Sequence, residues 1–395
     1  MAAAPRPSTS IYFSSVSSNP PAVRLWSLDF LRGLFAVFIT FGHAMTAAPY
    51  SFAGPWFEQL CVHIMWLSFN GIPIFFAISG FCIHLAQQRH GGTFKFGAFW
   101  RRRLWRLYPT YFVALVGSIG LLLVMWASGT GEEVLARYPG PPVPYIATDF
   151  GVHALMLHGL IPLYDQGAGN PPMWTLAREE YLYLMYPILL FARTRIAWYS
   201  LTMLLVALSF VFQYGLTRYV STPDAIWLLI YSAPALWIQW YVGMVAADAF
   251  VGAIRLPAFW QQARWIPVWM VLGYLFKPGS IFLALACFTT VNVVVRLEAQ
   301  GRWPESGIVH AISRVGLWSY SLYLVHVPVI TVTLAASRLL WPEVGLAGFV
   351  ARALVMTVIS CIAGRLLFEV VERHFVTLPR RADHKPLTAA AVAGS

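Results

Sequence analysis

The sequence predicts an all-α, polytopic membrane protein, and three observations support that fold class. Of the 395 residues, 58% are hydrophobic and only 11% are charged, whereas about a quarter of the residues of a soluble domain are charged. Apolar stretches of about 20 residues, the length that crosses a bilayer as a helix, recur along the chain. The formal net charge of +11 comes from Lys and Arg residues clustered in alternate connections, as in cytoplasmic loops. These observations exclude a cytosolic enzyme and an ordinary nucleic-acid-binding protein.

Ten apolar stretches are candidates for membrane-spanning helices. They comprise residues 25–47, 58–86, 107–128, 173–192, 196–216, 225–249, 264–276, 279–297, 312–336 and 344–370. The seventh is short, so nine spans are the alternative count. Residues 150–163 are apolar but too short to cross comfortably, which predicts a re-entrant or interfacial segment.

The distribution of basic residues predicts the orientation of the chain. Lys and Arg concentrate between spans two and three, four and five, six and seven, and eight and nine, and again after span ten. Because basic residues in short loops stay in the cytoplasm, we expect both termini to be cytoplasmic, provided that residues 150–163 do not span. Residues 129–172 then form the largest outward-facing loop. We therefore expect a multi-pass protein of a cell membrane, which is the inner membrane in a bacterium.

One membrane domain is predicted, with a tail at either end. Residues 1–22 are rich in Ala, Pro and Ser and are expected to be a disordered tail without a signal peptide. Residues 23–375 form the membrane domain, and residues 376–395 are a second disordered tail on the cytoplasmic side. The four cysteines are scattered and the histidines lack ligand spacing, so neither a disulfide framework nor a metal site is expected.

Two ionisable side chains of the first span, Arg32 and His43, are spaced to share one helix face. Eleven residues separate them, which is three turns plus about 20°, so they lie roughly 16 Å apart along the axis. Because an ionisable side chain in hydrocarbon is costly, each is a functional candidate. In the functional interpretation, the histidine accepts a proton and the arginine holds an anion. In the structural alternative, Arg32 neutralises Asp29 and His43 hydrogen-bonds a neighbouring helix.

Arg103 and Arg106 lie one helical turn apart at the start of the third span, beside Trp105 and Tyr108. Two guanidinium groups so placed can bind phosphates, and the aromatic rings can stack on a base. Basic residues with Trp and Tyr are also typical of any cytoplasmic membrane boundary. From composition alone, this second interpretation is favoured.

Three other features allow two interpretations each. Trp174 and the pair Glu179–Glu180 open the fourth span, where the helix dipole accounts for one acidic residue but not for two. In the second span, Ser79 followed by Gly80 favours a close contact between helices. His326 follows a run of Ser and Tyr residues in the ninth span, where a polar helix seam competes with a ligand or a base.

Together these motifs resemble the integral-membrane acyltransferase-3 family. The matching runs are Leu28–Arg32 followed by His43, Phe75–Phe81, Arg103–Pro109, Trp174–Glu180 with Tyr183 and Pro187, and Ser319–His326. Each run is weak alone, but five runs in the family's order over residues 25–375 are specific. Two positions depart from the family's pattern, because Arg178 stands where an apolar residue is usual and Tyr181 where Gln is frequent. These departures leave the identity of the acceptor open.

The resemblance implies an enzyme that transfers an acyl group, acetyl in the simplest case, from cytoplasmic acyl-CoA. The acceptor would be a hydroxyl of a sugar, a polysaccharide or another envelope or secreted compound. Acyl-CoA and this acceptor are the expected partners, with no nucleic acid and no permanently bound cofactor. Because no esterase-like segment follows the last span, transfer would be completed within the membrane domain.

The resemblance also implies roles for individual residues. Catalysis would involve His43, as a general base or a transiently acylated group, together with Arg32 and Glu179. Glu179 would orient His43 or bind the acceptor, and Glu180 is the competing candidate for that role. The residues expected to hold the donor are Arg32, Arg103, Arg106 and Tyr108. The residues expected on the acceptor side are Ser79, Trp174, Glu180 and His326.

A secondary transporter or flippase for a sugar-type substrate is the alternative from another class, because buried Arg, His and Glu can form a substrate or proton path. Against it, no inverted repeat is evident, and the arginine pair would lack a purpose. A non-catalytic membrane sensor with acyl-CoA as its ligand is a third alternative. Turnover of acyl-CoA separates the three.

Overall fold

A computed structural model describes residues 24–46, 54–90, 94–276, 279–340 and 345–376. Within these ranges the regular structure is entirely helical, and eight helices are long and apolar enough to cross a membrane. The predicted all-α polytopic fold is therefore confirmed. The predicted N-terminal tail, and all but the first residue of the predicted C-terminal tail, lie outside the described residues.

Fifteen α-helices follow one another along the described chain. They are α1 (Trp26–Thr46), α2 (Pro55–Phe69), α3 (Ile72–His90), α4 (Phe96–Ala127), α5 (Glu132–Leu135), α6 (Pro142–Ala154), α7 (Trp174–Arg193), α8 (Trp198–Phe210), α9 (Pro223–Ile230), α10 (Ala233–Phe250), α11 (Trp265–Leu275), α12 (Gly279–Ala299), α13 (Gly307–Leu317), α14 (Ser319–Leu340) and α15 (Leu346–Val370).

Each of the ten predicted spans contains one of these helices or a consecutive pair. Two of the ten helical segments are not among the eight long apolar helices: α7 carries Arg178, Glu179 and Glu180, and α11 has 11 residues. The number of crossings and the cytoplasmic location of the termini stay predictions.

The second predicted span is broken between α2 and α3. The side-chain amide of Asn70 donates to the carbonyl of Trp66 (2.7 Å) and closes the end of α2. Pro73, the second residue of α3, lacks the N–H group that a continuous helix would use. The break therefore follows from local sequence, although the hydropathy of the segment is continuous.

Contacts between helix termini bring several helices to one end of the bundle. The backbone N–H groups of Trp26 and Ser27, in α1, each donate to Glu298 near the end of α12 (2.8 Å). Ser321, near the start of α14, donates its N–H (3.2 Å) and its hydroxyl (2.5 Å) to Glu372, just beyond α15. Helices α1 and α14 therefore lead away from this end, and α12 and α15 return to it.

A buried polar network gathers the ends of α3, α7 and α10 at the same end, which we call the arginine end because Arg101–Arg103 and Arg106 of α4 lie there. His84 Nε2 lies 2.9 Å from Asp248 Oδ1, and Arg193 Nη2 lies 2.5 Å from Asp248 Oδ2. The other nitrogen of His84 lies 2.9 Å from the hydroxyl of Tyr186. Polar side chains from three helices thus meet at the Asp248 carboxylate within the bundle.

Helix α3 approaches α10 so closely that only glycine fits at the crossing. A Cβ atom on Gly80 would lie 2.1 Å from the carbonyl oxygen of Trp240, and one on Gly243 would lie 1.9 Å from that of Ala77. This is the close helix contact expected from Ser79 and Gly80. The crossing fixes the position of Ser79 along the helix axis relative to α10.

The segment around residues 150–163 folds back along the protein. Tyr108 and Tyr111 of α4 donate their hydroxyls to the carbonyls of Ala154 (2.8 Å) and His153 (3.0 Å), so the end of α6 packs beside α4. Short 3₁₀ turns then lead back to the start of α7. Whether this segment enters the bilayer or lies at its surface stays a prediction, and we call residues 155–173 the connecting segment.

Two fully buried charged side chains hold this segment. Asp149 accepts hydrogen bonds from the hydroxyl of Tyr138 (2.7 Å) and the N–H of Ala168 (2.6 Å). Arg178 of α7 pairs with Asp165 (2.8 Å) and donates to the carbonyls of Tyr231 (2.7 Å) and Gly159 (3.0 Å).

A third anchor joins the segment to α14. The Asn170 amide donates to the carbonyl of Leu324 (2.7 Å).

Arg178, which departs from the family's pattern, is thus explained by structural contacts, an ion pair with Asp165 and hydrogen bonds to two backbone carbonyls. Burial raises the pKa of Asp165, which lies in the turns outside the spans, and the neighbouring Arg178 offsets only part of that rise.

Replacing Gly80 by Ala is expected to lower the thermal stability of the purified protein, because the added methyl group would overlap the Trp240 carbonyl. Overpacking of this kind costs about 1–3 kcal/mol. The matched control is Gly120→Ala in the interior of α4, where no atom lies within 4 Å of the added Cβ and where Ala is the better helix former. Unfolding in one detergent compares them, and an unchanged melting temperature for the Gly80 variant would contradict the contact.

Replacing Arg178 by Met is expected to destabilise the protein by about 3–5 kcal/mol at pH 7, because a buried carboxylate is left unpaired. The loss should shrink as the pH falls toward about 4, the pKa of an unfolded Asp, because the neutral acid needs no charged partner. Thermal unfolding from pH 7 to pH 4.5 measures the trend. Adding Asp165→Asn should restore part of the stability at pH 7, and a loss independent of pH would contradict the ion pair.

Candidate active site

A cavity opens inside the bundle between α1, α3, α4, α7 and α14. Its lining carries three arginines and two glutamates among hydroxyl and apolar groups. The polar lining residues are Arg32, Ser79, Cys82, Arg103, Arg106, Thr175, Glu179, Tyr183, Ser319, Tyr320, Tyr323 and Glu372. Five residues predicted to be functional are thus brought to one cavity: Arg32, Ser79, Arg103, Arg106 and Glu179.

Arg32 reaches the cavity from the first half of α1. Its Nη1 lies 3.8 Å from Asp29 Oδ1, a long contact, while Asp29 makes a closer pair with Arg24 (2.5 Å). Its Nη2 lies 3.8 Å from the sulfur of Cys82. Because Asp29 is shared between two arginines, the Arg32 guanidinium is only partly compensated, and it remains available to an anion in the cavity.

Arg103 and Arg106 enter from the first turns of α4. The Arg103 guanidinium carbon lies 5.8 Å from the ring centre of Phe99 and 5.9 Å from that of Tyr183. Within the described ranges, no carboxylate lies within ion-pair distance of either arginine. Glu179 and Glu372 line the same cavity but make no direct ion pair with them, so the two guanidinium groups can bind an anion such as a phosphate.

Glu179 is part of a hydrogen-bonded chain across the cavity wall. The Tyr183 hydroxyl donates to the Glu179 carboxylate, and the Ser79 hydroxyl lies 3.1 Å from the Tyr183 hydroxyl. Among the described residues no hydrogen bond or ion pair joins Glu179 to His43. The geometry therefore places Glu179 as a polar lining group facing the arginines.

A half-buried imidazole, His43, and a fully buried one, His326, form a pair next to the cavity. Their ring centres are 5.0 Å apart, and Phe69 lies 4.6 Å from His43 on another side. His326 Nδ1 lies 2.7 Å from the carbonyl oxygen of Tyr323. Because a carbonyl only accepts, Nδ1 carries the proton and Nε2 is the acceptor. His326 is fully buried, and its Nε2 has no hydrogen-bond partner in the part of the chain that the structure describes.

Tyr323 connects the imidazole pair with the cavity. Its ring lines the cavity, and its ring centre is 5.4 Å from that of His326. Its hydroxyl donates to the carbonyl of Pro172 (3.3 Å) and accepts from Thr175 (3.0 Å). One side chain thus contacts His326, lines the cavity and is hydrogen-bonded to the connecting segment.

Three residues predicted to be functional lie away from the cavity lining. Tyr108 faces α6 through its bond to Ala154, and Trp174 packs on Trp227 and Tyr231, with ring centres 5.8 and 5.1 Å away. Glu180 is buried on another face of α7.

Sequence reasoning missed Tyr183, Tyr323 and Glu372 as site residues. The available signals were Tyr183 one turn after Glu179, Tyr323 one turn before His326, and Glu372 as an acidic residue at the end of an apolar span.

Comparison with known proteins identifies the architecture. The acyltransferase-3 family, described as an acyltransferase domain, matches residues 25–365. Over 380 residues the chain is 26% identical to the acyltransferase MdmB of Streptomyces mycarofaciens, covering 89% of this chain and 92% of that protein.

Other similarities cover less of one protein or the other. Over 345 residues the chain is 24% identical to the peptidoglycan O-acetyltransferase OatA of Listeria monocytogenes, covering 77% of this chain and 50% of that protein. Over 181 residues it is 31% identical to protein 2 of the picA locus of Rhizobium radiobacter, covering 43% of this chain and 84% of that protein. No solved structure matches the chain.

The family match runs from the first span into the last, and the cavity takes nearly all its polar lining from the runs that carry the resemblance. The chain therefore belongs to the acyltransferase-3 family of multi-pass membrane acyltransferases.

Proposed function

We propose that this protein is an O-acyltransferase that moves an acyl group, acetyl in the simplest case, from cytoplasmic acyl-CoA to a hydroxyl of a sugar or another envelope or secreted acceptor. The observation that carries the proposal is a cavity with three arginines, two of them without an ion pair among the described residues, beside the paired imidazoles of His43 and His326. Transfer from acyl-CoA requires a site that binds the phosphate groups of CoA next to a general base. Residues 23–375 would form the catalytic domain in a bacterial inner membrane.

The donor would enter from the arginine end, which the positive-inside rule assigns to the cytoplasm. The pyrophosphate of CoA would bind Arg103 and Arg106, whose guanidinium groups can form two parallel hydrogen bonds each. Arg32 lies deeper on α1 and would contact the donor farther along the cavity. The thioester would then point past Tyr323 toward the histidine pair.

His43 would act as the general base. It takes the proton of the acceptor hydroxyl as that oxygen attacks the thioester carbonyl, and it returns the proton to the thiolate of CoA as the carbon–sulfur bond breaks. His326 presents an unprotonated Nε2 beside it, which can accept a hydrogen bond from the acceptor. Ser79, Tyr183 and Glu179 offer further hydroxyl and carboxylate groups to a polar acceptor in the cavity.

The acceptor class rests on both chemistry and relatives. A hydroxyl-rich ligand suits a lining of hydroxyl, carboxylate and guanidinium groups. One relative is named a peptidoglycan O-acetyltransferase, which supports a carbohydrate acceptor and an acetyl group. The connecting segment and the start of α7, which lie beyond Tyr323, would form the wall on the acceptor side.

Replacing His43 by Ala is expected to lower acyl transfer by about 10²–10⁴-fold, the usual contribution of a general base, without loss of folding. Release of free CoA from acetyl-CoA, with and without an envelope-sugar extract, measures it in purified protein. The matched control is His63→Ala on α2, whose imidazole is exposed and bonded to Tyr274. Near-full transfer by the His43 variant would rule out the base. Absence of release by the wild type with several acyl-CoAs would favour the transporter alternative.

Replacing Arg106 by Lys is expected to raise the KM for acetyl-CoA about tenfold with little change in kcat, because an ammonium group loses the two-pronged contact with phosphate. Arg255→Lys, at an exposed position away from the cavity, is the control and should behave as the wild type. Initial rates at varied donor concentration separate KM from kcat. A changed kcat at constant KM would argue against phosphate binding.

A further inference from the structure

A second depression lies on the surface of the arginine end, outside the cavity. It is lined by Arg101, Arg102, Trp105, Arg106, Phe375 and Val376, and we call it the surface groove. Arg106 lines the cavity as well as the groove. Arg106 therefore lies between the cavity and the groove, within reach of a ligand in either.

The groove carries a concentration of uncompensated positive charge. Arg102 and Arg106 are one turn apart on α4, where like charges repel, and Arg101 adds a third guanidinium. In the described part of the chain no carboxylate lies within ion-pair distance of any of the three. Elsewhere at this end of the bundle, Arg193 and Arg24 have acidic partners at 2.5 Å. An anionic ligand would relieve the repulsion in the groove.

An aromatic side chain stands beside these charges. Trp105 is 66% exposed, and its ring touches the edge of Phe375, with ring centres 5.5 Å apart. Its position one turn after Arg101 puts an open indole face beside guanidinium groups. Trp and Arg also occur at ordinary membrane boundaries, but that role does not require a groove sharing an arginine with the cavity.

We propose that the surface groove binds the nucleotide end of the acyl donor, with the adenine ring on Trp105 and the 3′-phosphate on Arg101 and Arg102. This rests on the proposed function, in which the pyrophosphate occupies Arg103 and Arg106. The two phosphate sites then lie on successive turns of one helix. The protein therefore distinguishes acyl-CoA from a thioester that carries only a phosphopantetheine arm.

The test compares acetyl-CoA with acetyl-3′-dephospho-CoA, which keeps every group except the 3′-phosphate. In nanodiscs of zwitterionic lipid, the wild type should show a KM about tenfold higher for the dephospho donor, since a hydrogen bond between charged groups contributes about that factor. The Arg101→Gln/Arg102→Gln variant should lose the preference by raising the KM for acetyl-CoA alone. Trp105→Ala should raise the KM for both donors, because both carry adenine.

The matched control is Arg255→Gln/Arg264→Gln, which removes the same charge from exposed positions in another connection and should keep the wild-type preference. Equal KM values for the two donors in the wild type would overturn the inference while leaving acyl transfer intact. An effect of the groove variant that is equal for both donors, and that appears only with anionic lipid, would identify a lipid-headgroup site and would also overturn it.

Calorimetric binding of CoA and dephospho-CoA separates this inference from the proposed function. Suppose that the wild type transfers no acyl group, yet binds CoA more tightly than dephospho-CoA, and that the Arg101→Gln/Arg102→Gln variant loses this difference. The groove proposal is then supported and the enzymatic proposal fails. If the two nucleotides bind equally or not at all, the groove proposal is overturned whatever the activity.

Discussion

A charged side chain enclosed by helices and lipid keeps its charge only beside a compensating group. This requirement divides the ionisable residues of the bundle into two sets. Asp248 is compensated by His84 and Arg193, and Asp165 by Arg178, and these contacts tie helices and turns together. In the described part of the chain, Arg103 and Arg106 face the cavity without an ion pair. The ion-paired residues stabilise the frame, and the other two are the ones that we propose to bind the donor.

Hydropathy was sufficient to predict the helices, because apolar length is a local property. Each of the ten predicted spans contains helix, although the local chemistry of Asn70 and Pro73 divides one of them. The course of residues 150–163 could not be fixed in the same way. It depends on Asp149 and Arg178, which pair with groups far along the chain, and a search for apolar runs is blind to such partners.

The candidate site could be predicted only in part, because the groups that its residues contact are distant in the sequence. Helical spacing predicted that Arg32 and His43 share a face of α1, but not which helices that face meets. Arg32 meets the cavity and α3, whereas His43 meets His326 of α14. Such neighbours are set by tertiary packing, as in the crossing of α3 and α10 at Gly80. The family resemblance indicated which residues form the site but not which groups they contact. Glu179, for example, is hydrogen-bonded to Tyr183 and not to His43 among the described residues.

The connecting segment is held differently from the long helices. It has no long helical face, and polar anchors at Asp149, Asn170 and Arg178 fix its course. Between these anchors the chain forms short turns, and many of its side chains, including Met156, Tyr164 and Met173, are buried against the bundle. A change of side-chain size there is therefore transmitted to α4 and α7 instead of being absorbed locally. The turns are thus mechanically coupled to the helices on which they lie.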